Sequence, residues 1–208
     1  MSVENKATAL AKYIGTLSDF RIVNPEYPYD HMGATITDAM LQAGINYNTV
    51  VKPRVDQVYA LPEAKTTSGF LKLLERTNPQ LLLKWKGEKP NRILRVTNLF
   101  VKENIEAEEQ LKLWLKEEEN LQKLGNIKGV GDKTLDYFKM LSGIHTSAID
   151  RHLRNFLHRA GVQVDSYLEA QEVINKAANK LKIKESVLDH SIWKYMSDRK
   201  GTNTCGCH

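Results

Sequence analysis

A chain of 208 residues with 41% hydrophobic content is long enough to bury a full core, as one domain or as two small lobes. Its apolar runs, such as Leu81 to Leu83, are far too short to cross a bilayer, and Glu4, Asn5 and Lys6 stand where a signal peptide needs an apolar stretch. The sequence therefore predicts an intracellular protein with no membrane partner, and its net charge of +5 and pI near 9.1 favour an acidic partner, although such an excess is also common in proteins that bind no nucleic acid.

In chain order, the first thirty or so residues read as among the least regular of the chain. Ile36, Ala39, Met40 and Ala43 then keep a helical spacing, and Thr66 to Arg76 and Asn91 to Asn104 predict two further helices. All six prolines fall at or before Pro90, so the remainder is free of the strongest helix breaker. In it, Leu111, Trp114, Leu115, Leu121 and Leu124 form one apolar stripe, and the acidic residues from Glu103 to Glu119 are expected to face solvent. Leu153, Phe156 and Leu157 repeat the pattern, as do Tyr167, Ala170, Ile174, Ala177 and Leu181, and then Leu188, Ile192, Tyr195 and Met196. No window alternates over a strand's length, so the expected class is all-α. Gly201 to His208 reads as an irregular tail, and its Cys205, Cys207 and His208 are too clustered for an internal disulfide and read as no structural metal site.

The most informative segment is Leu124-Gly125-Asn126-Ile127-Lys128-Gly129-Val130-Gly131-Asp132-Lys133-Thr134-Leu135. An amphipathic helix runs into Gly-Val-Gly, and a second helix starts at once. The glycines allow a tight turn and a close backbone approach. The second helix presents N–H groups and a positive dipole end, a ready site for phosphate. Many such turns only join helices. Seventeen residues further on, Ile149-Asp150-Arg151-His152-Leu153-Arg154 opens another helix.

Gly-Val-Gly-x-Lys-Thr followed at this distance by Asp-x-His resembles the helix-hairpin-helix DNA glycosylase superfamily, which includes endonuclease III and the 8-oxoguanine glycosylases. Two further stretches are similar to that family: Lys84 to Val101, like the helix before the hairpin, and Ile36 to Gln42, like a helix ending in a glutamine that fills the space left by an extruded base. Lys128 departs from the family's usual proline. The resemblance implies an all-α, two-lobed fold with the helix-hairpin-helix in a central domain from residue 30 to 145. It also implies a second lobe from residues 1–29 and 146–208, and an interlobe active-site cleft.

It further implies a base-excision repair enzyme, a bifunctional DNA glycosylase and apurinic or apyrimidinic site lyase, acting on double-stranded DNA with a damaged or modified base, as a monomer. Lys133 would be the attacking amine and Asp150 the carboxylate that stabilises positive charge on the sugar. Gly129, Gly131, Lys128, Thr134, Gln42, His152 and Arg154 would contact DNA, with Lys139 and Arg151 as further phosphate contacts. Asp38 stands where adenine glycosylases of the superfamily keep a glutamate, and is a minor candidate. Trp85, Tyr137, Phe138, Trp193 and Tyr195 could sandwich a flipped base, or serve as core. The chemistry needs no cofactor: two cysteines one residue apart cannot supply the four ligands of an iron–sulfur cluster, while hairpin carbonyls near Ile127 or Gly129 could hold a monovalent cation.

Other readings stay open at this stage. Asp150 alone is an ordinary N-cap, Lys133 alone a surface lysine, Gln42 an exposed helix end and His152 a structural imidazole. A monofunctional glycosylase, a non-catalytic helix-hairpin-helix DNA-binding module and a small helical interaction protein are the alternatives. Oxidised purines, oxidised pyrimidines and mismatched bases all remain as substrates, with 8-oxoguanine first on the Asp-Arg-His wording.

Overall fold

The computed structural model describes residues 1–42 and 44–199; Cys205, Cys207 and His208 lie outside them, as does Ala43. The described residues contain helices and turns but no strand, so the protein is all-α. No helix among them is long and apolar enough to cross a membrane. The chain divides into two compact units, Tyr27–Ile144 and a unit formed from Met1–Glu26 with His145–His208.

The unit Tyr27–Ile144 is built around α2 (Met32–Leu41), whose ten residues are all buried. A helix apolar on every side belongs inside a core. Here α3 (Lys52–Tyr59), a 3-10 turn (Pro62–Lys65), α4 (Thr67–Thr77), α6 (Lys89–Lys102) and α9 (Asp132–Leu141) pack around it. Gly33 lets the turn come close, since a Cβ there would lie 2.8 Å from Ala64 O. The short α5 (Pro79–Leu82), α7 (Glu108–Trp114) and α8 (Glu118–Gly125) complete the unit. A π-helical turn over Tyr47–Val51 leads into α3.

Burying α2 also buries its polar groups, and each must find a partner. His31 caps the helix: its Nδ1 accepts the Ala34 amide at 3.1 Å, and its Nε2 lies 3.2 Å from Leu61 O, which requires a neutral ring protonated on Nε2. Burial lowers the His31 pKa, in keeping with that tautomer. Glu108 accepts the Asp30 and His31 amides at 2.9 and 3.3 Å and the Thr35 hydroxyl. This corrects the expectation of a solvent-facing acidic run at Glu108, while Glu109, Glu117, Glu118 and Glu119 are exposed as expected. Glu108 is buried because it satisfies backbone donors at the start of α2. The stripe from Leu111 to Leu124 is likewise two helices, α7 and α8, because the turn at residues 115–117 redirects the chain.

The other unit consists of α1 (Val3–Thr16), α10 (Arg151–Arg159), α11 (Tyr167–Lys180) and α12 (Glu185–Asp198). The N-terminal segment is not irregular throughout. Ala7, Leu10 and Ile14 give α1 a buried stripe that packs along α11, and Lys6 pairs with Glu169 at 2.5 Å. Phe156 sits at the centre of this core, with Tyr13, Phe20 and Tyr195 around it at ring separations of 5.5 to 5.8 Å.

Candidate functional site

The turn singled out in the sequence joins α8 to α9, which pack against each other. It closes through its own backbone: the Ile127 amide donates to Leu124 O at 3.1 Å and the Val130 amide to Ile127 O at 2.9 Å. The Ile127 carbonyl, a candidate cation ligand, thus already accepts one hydrogen bond. Gly129 has φ +96°, and a Cβ there would come within 2.3 Å of the Arg92 guanidinium. The positive φ demands glycine, and the end of the Arg92 side chain adds crowding. Gly131 is extended, with nothing within 4 Å of an added Cβ, and its carbonyl accepts the Thr134 and Leu135 amides at 2.8 and 3.0 Å. Lys128, Gly129 and Gly131 are exposed, whereas Thr134 is buried and supports the turn from within.

Lys133 lies in the first turn of α9, yet its amine does not extend freely into solvent. Its Nζ donates to Gln42 Oε1 at 2.8 Å. Gln42 ends α2, and rather than projecting from the helix end it turns toward Lys133, with its Nε2 buried and unbonded.

One turn earlier on α2, Asp38 is fully buried. Its Oδ2 accepts hydroxyls from Tyr29 at 2.7 Å, Tyr47 at 3.2 Å and Tyr137 at 3.3 Å, while Oδ1 is buried with no hydrogen bond. Desolvation raises the Asp38 pKa to about 6, against the opposing pull of the three hydroxyls and of the Lys133 charge. Burial and the Asp38 charge push the three tyrosine pKa values upward, so the hydroxyls stay protonated and donate.

Lys89, at the start of α6, joins this group. Its Nζ donates to Leu41 O at 2.5 Å and lies 5.3 Å from the centre of the Trp85 ring, which Arg54 also approaches at 5.0 Å. Burial and the neighbouring charges of Arg92 and Lys133 lower the Lys89 pKa to about 8.

The remaining expected residues divide by burial. Asp150 caps α10, its Oδ1 accepting the His152 and Leu153 amides at 2.7 and 3.0 Å. His152 is buried, and Arg151 and Arg154 are exposed on α10. Lys139 pairs with Asp136 at 3.2 Å. Of the aromatic candidates, Phe138 is core, 5.7 Å from Phe100 and wholly buried, and Tyr195 is core beside Phe156, so neither is available to a base. Trp193 stacks on His190, Tyr137 serves Asp38, and Trp85 is half-buried between its cations.

Sequence reasoning gave Lys89 and Arg92 no role at the site, missed Tyr29 and Tyr47, and named Tyr137 only as a candidate to stack on a base. The available signal was Asp38 itself, a carboxylate within an apolar helical run, which must recruit donors if buried. Among the described residues no group of three or more His, Cys, Asp or Glu side chains is placed to hold a metal ion.

Residues 85–197, more than half of the chain, match the family described as Domain of unknown function (DUF8548), and the chain belongs to that family. The matched region contains Lys89, the α8–α9 turn, Lys133 and Asp150; Asp38 and Gln42 precede it. A search of the curated proteins finds no match to the chain.

Proposed function

We propose that this protein is a DNA glycosylase with lyase activity, which extrudes a damaged base from duplex DNA and attacks its sugar through Lys133. The observation that supports this best is the setting of the Lys133 amine. It follows a tight, exposed glycine turn at a helix start, and it is held at 2.8 Å by Gln42 within the field of a buried carboxylate. A surface lysine without a task has no need of such a setting.

In this reading, the turn and the start of α9 grip the phosphate backbone without reading sequence, with Lys128 and Arg154 as exposed cations and His152 supporting α10. The base is flipped out of the stack. The Lys133 ammonium gives its proton to the departing base, and the freed lone pair forms a bond to C1′ as the C1′–N bond breaks and the bonding pair leaves with the base. Asp150, whose Oδ1 accepts the two amides that open α10, stabilises the positive charge on the sugar. A proton passes from the Lys133 nitrogen to O4′ as the C1′–O4′ bond breaks, which opens the sugar and leaves a protonated imine at Lys133; loss of a C2′ proton then expels the 3′ phosphate and cuts the strand. Oxidised purine, 8-oxoguanine first, is the leading substrate.

One observation favours a second reading, a monofunctional glycosylase. Asp38 has a raised pKa and interacts with Lys133, so it could pass a proton to a departing base while water attacks C1′. Duplexes carrying 8-oxoguanine, thymine glycol or uracil distinguish the two. Strand cleavage without alkali supports the lyase, cleavage only after alkali supports the monofunctional enzyme, and an intact base in every duplex refutes both.

A further inference from the structure

Two polar atoms near Lys133 are left unsatisfied, and they are complementary. Asp38 Oδ1 is an acceptor without a donor, and Gln42 Nε2 a donor without an acceptor; both are buried. Leaving such groups unpaired in the interior is unfavourable, so their occurrence together calls for an explanation. Their other hydrogen bonds determine which atom of each side chain is left open. Three tyrosine hydroxyls fix Oδ2 and thereby decide which carboxylate oxygen stays open. The Lys133 ammonium, which can only donate, fixes the Gln42 oxygen and leaves the NH2 group for something else. Gln42 retains helical backbone angles (φ −63°, ψ −22°) as the C-cap of α2. Residues 38 and 42 are therefore four apart on a continuous helical path, and their side chains share one face.

We infer that Asp38 Oδ1 and Gln42 Nε2 form a nucleobase-edge site, which takes a base offering a ring N–H donor beside a carbonyl acceptor, the lactam or imide edge of oxidised purines and of uracil-type pyrimidines. The inference rests on the glycosylase reading and narrows its substrate class. A carboxylate makes its strongest hydrogen bond to the most acidic donor available. A lactam or imide N–H is more acidic than the exocyclic amine of adenine or cytosine, and a carbonyl is the natural acceptor for the Gln42 amide. The base reaches the site as Gln42 and Lys133, both half-buried, exchange their mutual hydrogen bond for contacts to the nucleotide. Lys133 is then released beside the sugar of the base being read, so recognition is coupled to attack. Gln42 thereby becomes a reader of the base rather than a filler of the gap in the stack.

The test measures binding by the full chain carrying Lys133→Gln, which retains a donor for Gln42 and cannot form the imine. Duplexes contain 8-oxoguanine, uracil, 3-methyluracil or no lesion. The expected result is that 8-oxoguanine and uracil bind about tenfold or more tightly than 3-methyluracil, the range of one good edge contact; guanine and thymine carry the same edge, so the undamaged duplex serves as the baseline for binding without extrusion. Adding Asp38→Asn should erase the preference, because its carboxamide oxygen would take the tyrosine hydroxyls and point NH2 at the base. Gln42→Leu provides the same comparison if Asp38→Asn does not fold. Equal binding of uracil and 3-methyluracil, or a preference that survives both variants, overturns the inference. Trapping on an abasic duplex with the otherwise native chain, run in parallel, separates the two claims. Trapping without edge preference overturns this inference and leaves the lyase standing; edge preference without trapping supports this site and overturns the lyase.

Discussion

Replacing Asp38 with asparagine should make the protein more resistant to denaturation at neutral pH than at acidic pH, relative to the wild type. In the folded protein the Asp38 pKa is displaced from an ordinary 3.8 to about 6, with burial the largest cause. That displacement corresponds to about 3 kcal/mol of preference for the protonated acid. A carboxyl whose folded pKa is raised contributes stability that is fully present below its unfolded pKa and is lost as pH rises through the folded one, here from about 4 to about 6. Asp38→Asn keeps the shape and an oxygen for the tyrosine hydroxyls, but it cannot ionise. In urea denaturation at pH 4.5 and pH 7.5, the variant should therefore gain about 2 kcal/mol on the wild type between the two pH values. A difference between the proteins that stays the same at both pH values would refute the claim that the fold holds this carboxylate against its ionisation.

Four other substitutions check separate links of the account. Gly129→Ala should cost about 1 kcal/mol or more through its positive φ and the approach of Arg92, while Gly131→Ala, extended and unobstructed, should shift Tm little; equal losses would contradict the geometry of the turn. Asp150→Asn should preserve the cap on α10 and leave Tm nearly unchanged, yet lower base excision about a hundredfold or more; unchanged excision rates would reduce Asp150 to a cap. Phe156→Ala should destabilise by about 3–5 kcal/mol in calorimetry, because the ring is wholly buried among three aromatic neighbours, and a loss below 1 kcal/mol would mean that this core does not depend on it.

The legibility of this fold in its sequence follows from the reach of each signal. Helices with one apolar stripe, such as α11 and α12, were readable because the 3.6-residue period is local. The break between α7 and α8 was not, since leucine spacing persists across the turn at residues 115–117 while the backbone changes direction. The N-terminal helix was overlooked although Ala7, Leu10 and Ile14 have the right spacing, because its partner α11 lies far along the chain. Glu108 read as solvated because the donors that bury it, at Asp30, His31 and Thr35, are more than seventy positions away. The candidate site divides in the same way. Lys133 and the glycine turn lie within a few residues and formed a recognisable pattern. The roles of Lys89 and of Tyr29, Tyr47 and Tyr137 emerge only when α2, α6 and α9 come together.

Lys89 also sharpens the central test, because it is a second amine in the same group with a lowered pKa. The most direct measurement is borohydride trapping of the native chain on an abasic duplex, followed by mass-spectrometric mapping of the modified lysine. The account predicts a reduced adduct on Lys133 that disappears in Lys133→Gln; an adduct on Lys89, or no adduct, would contradict it.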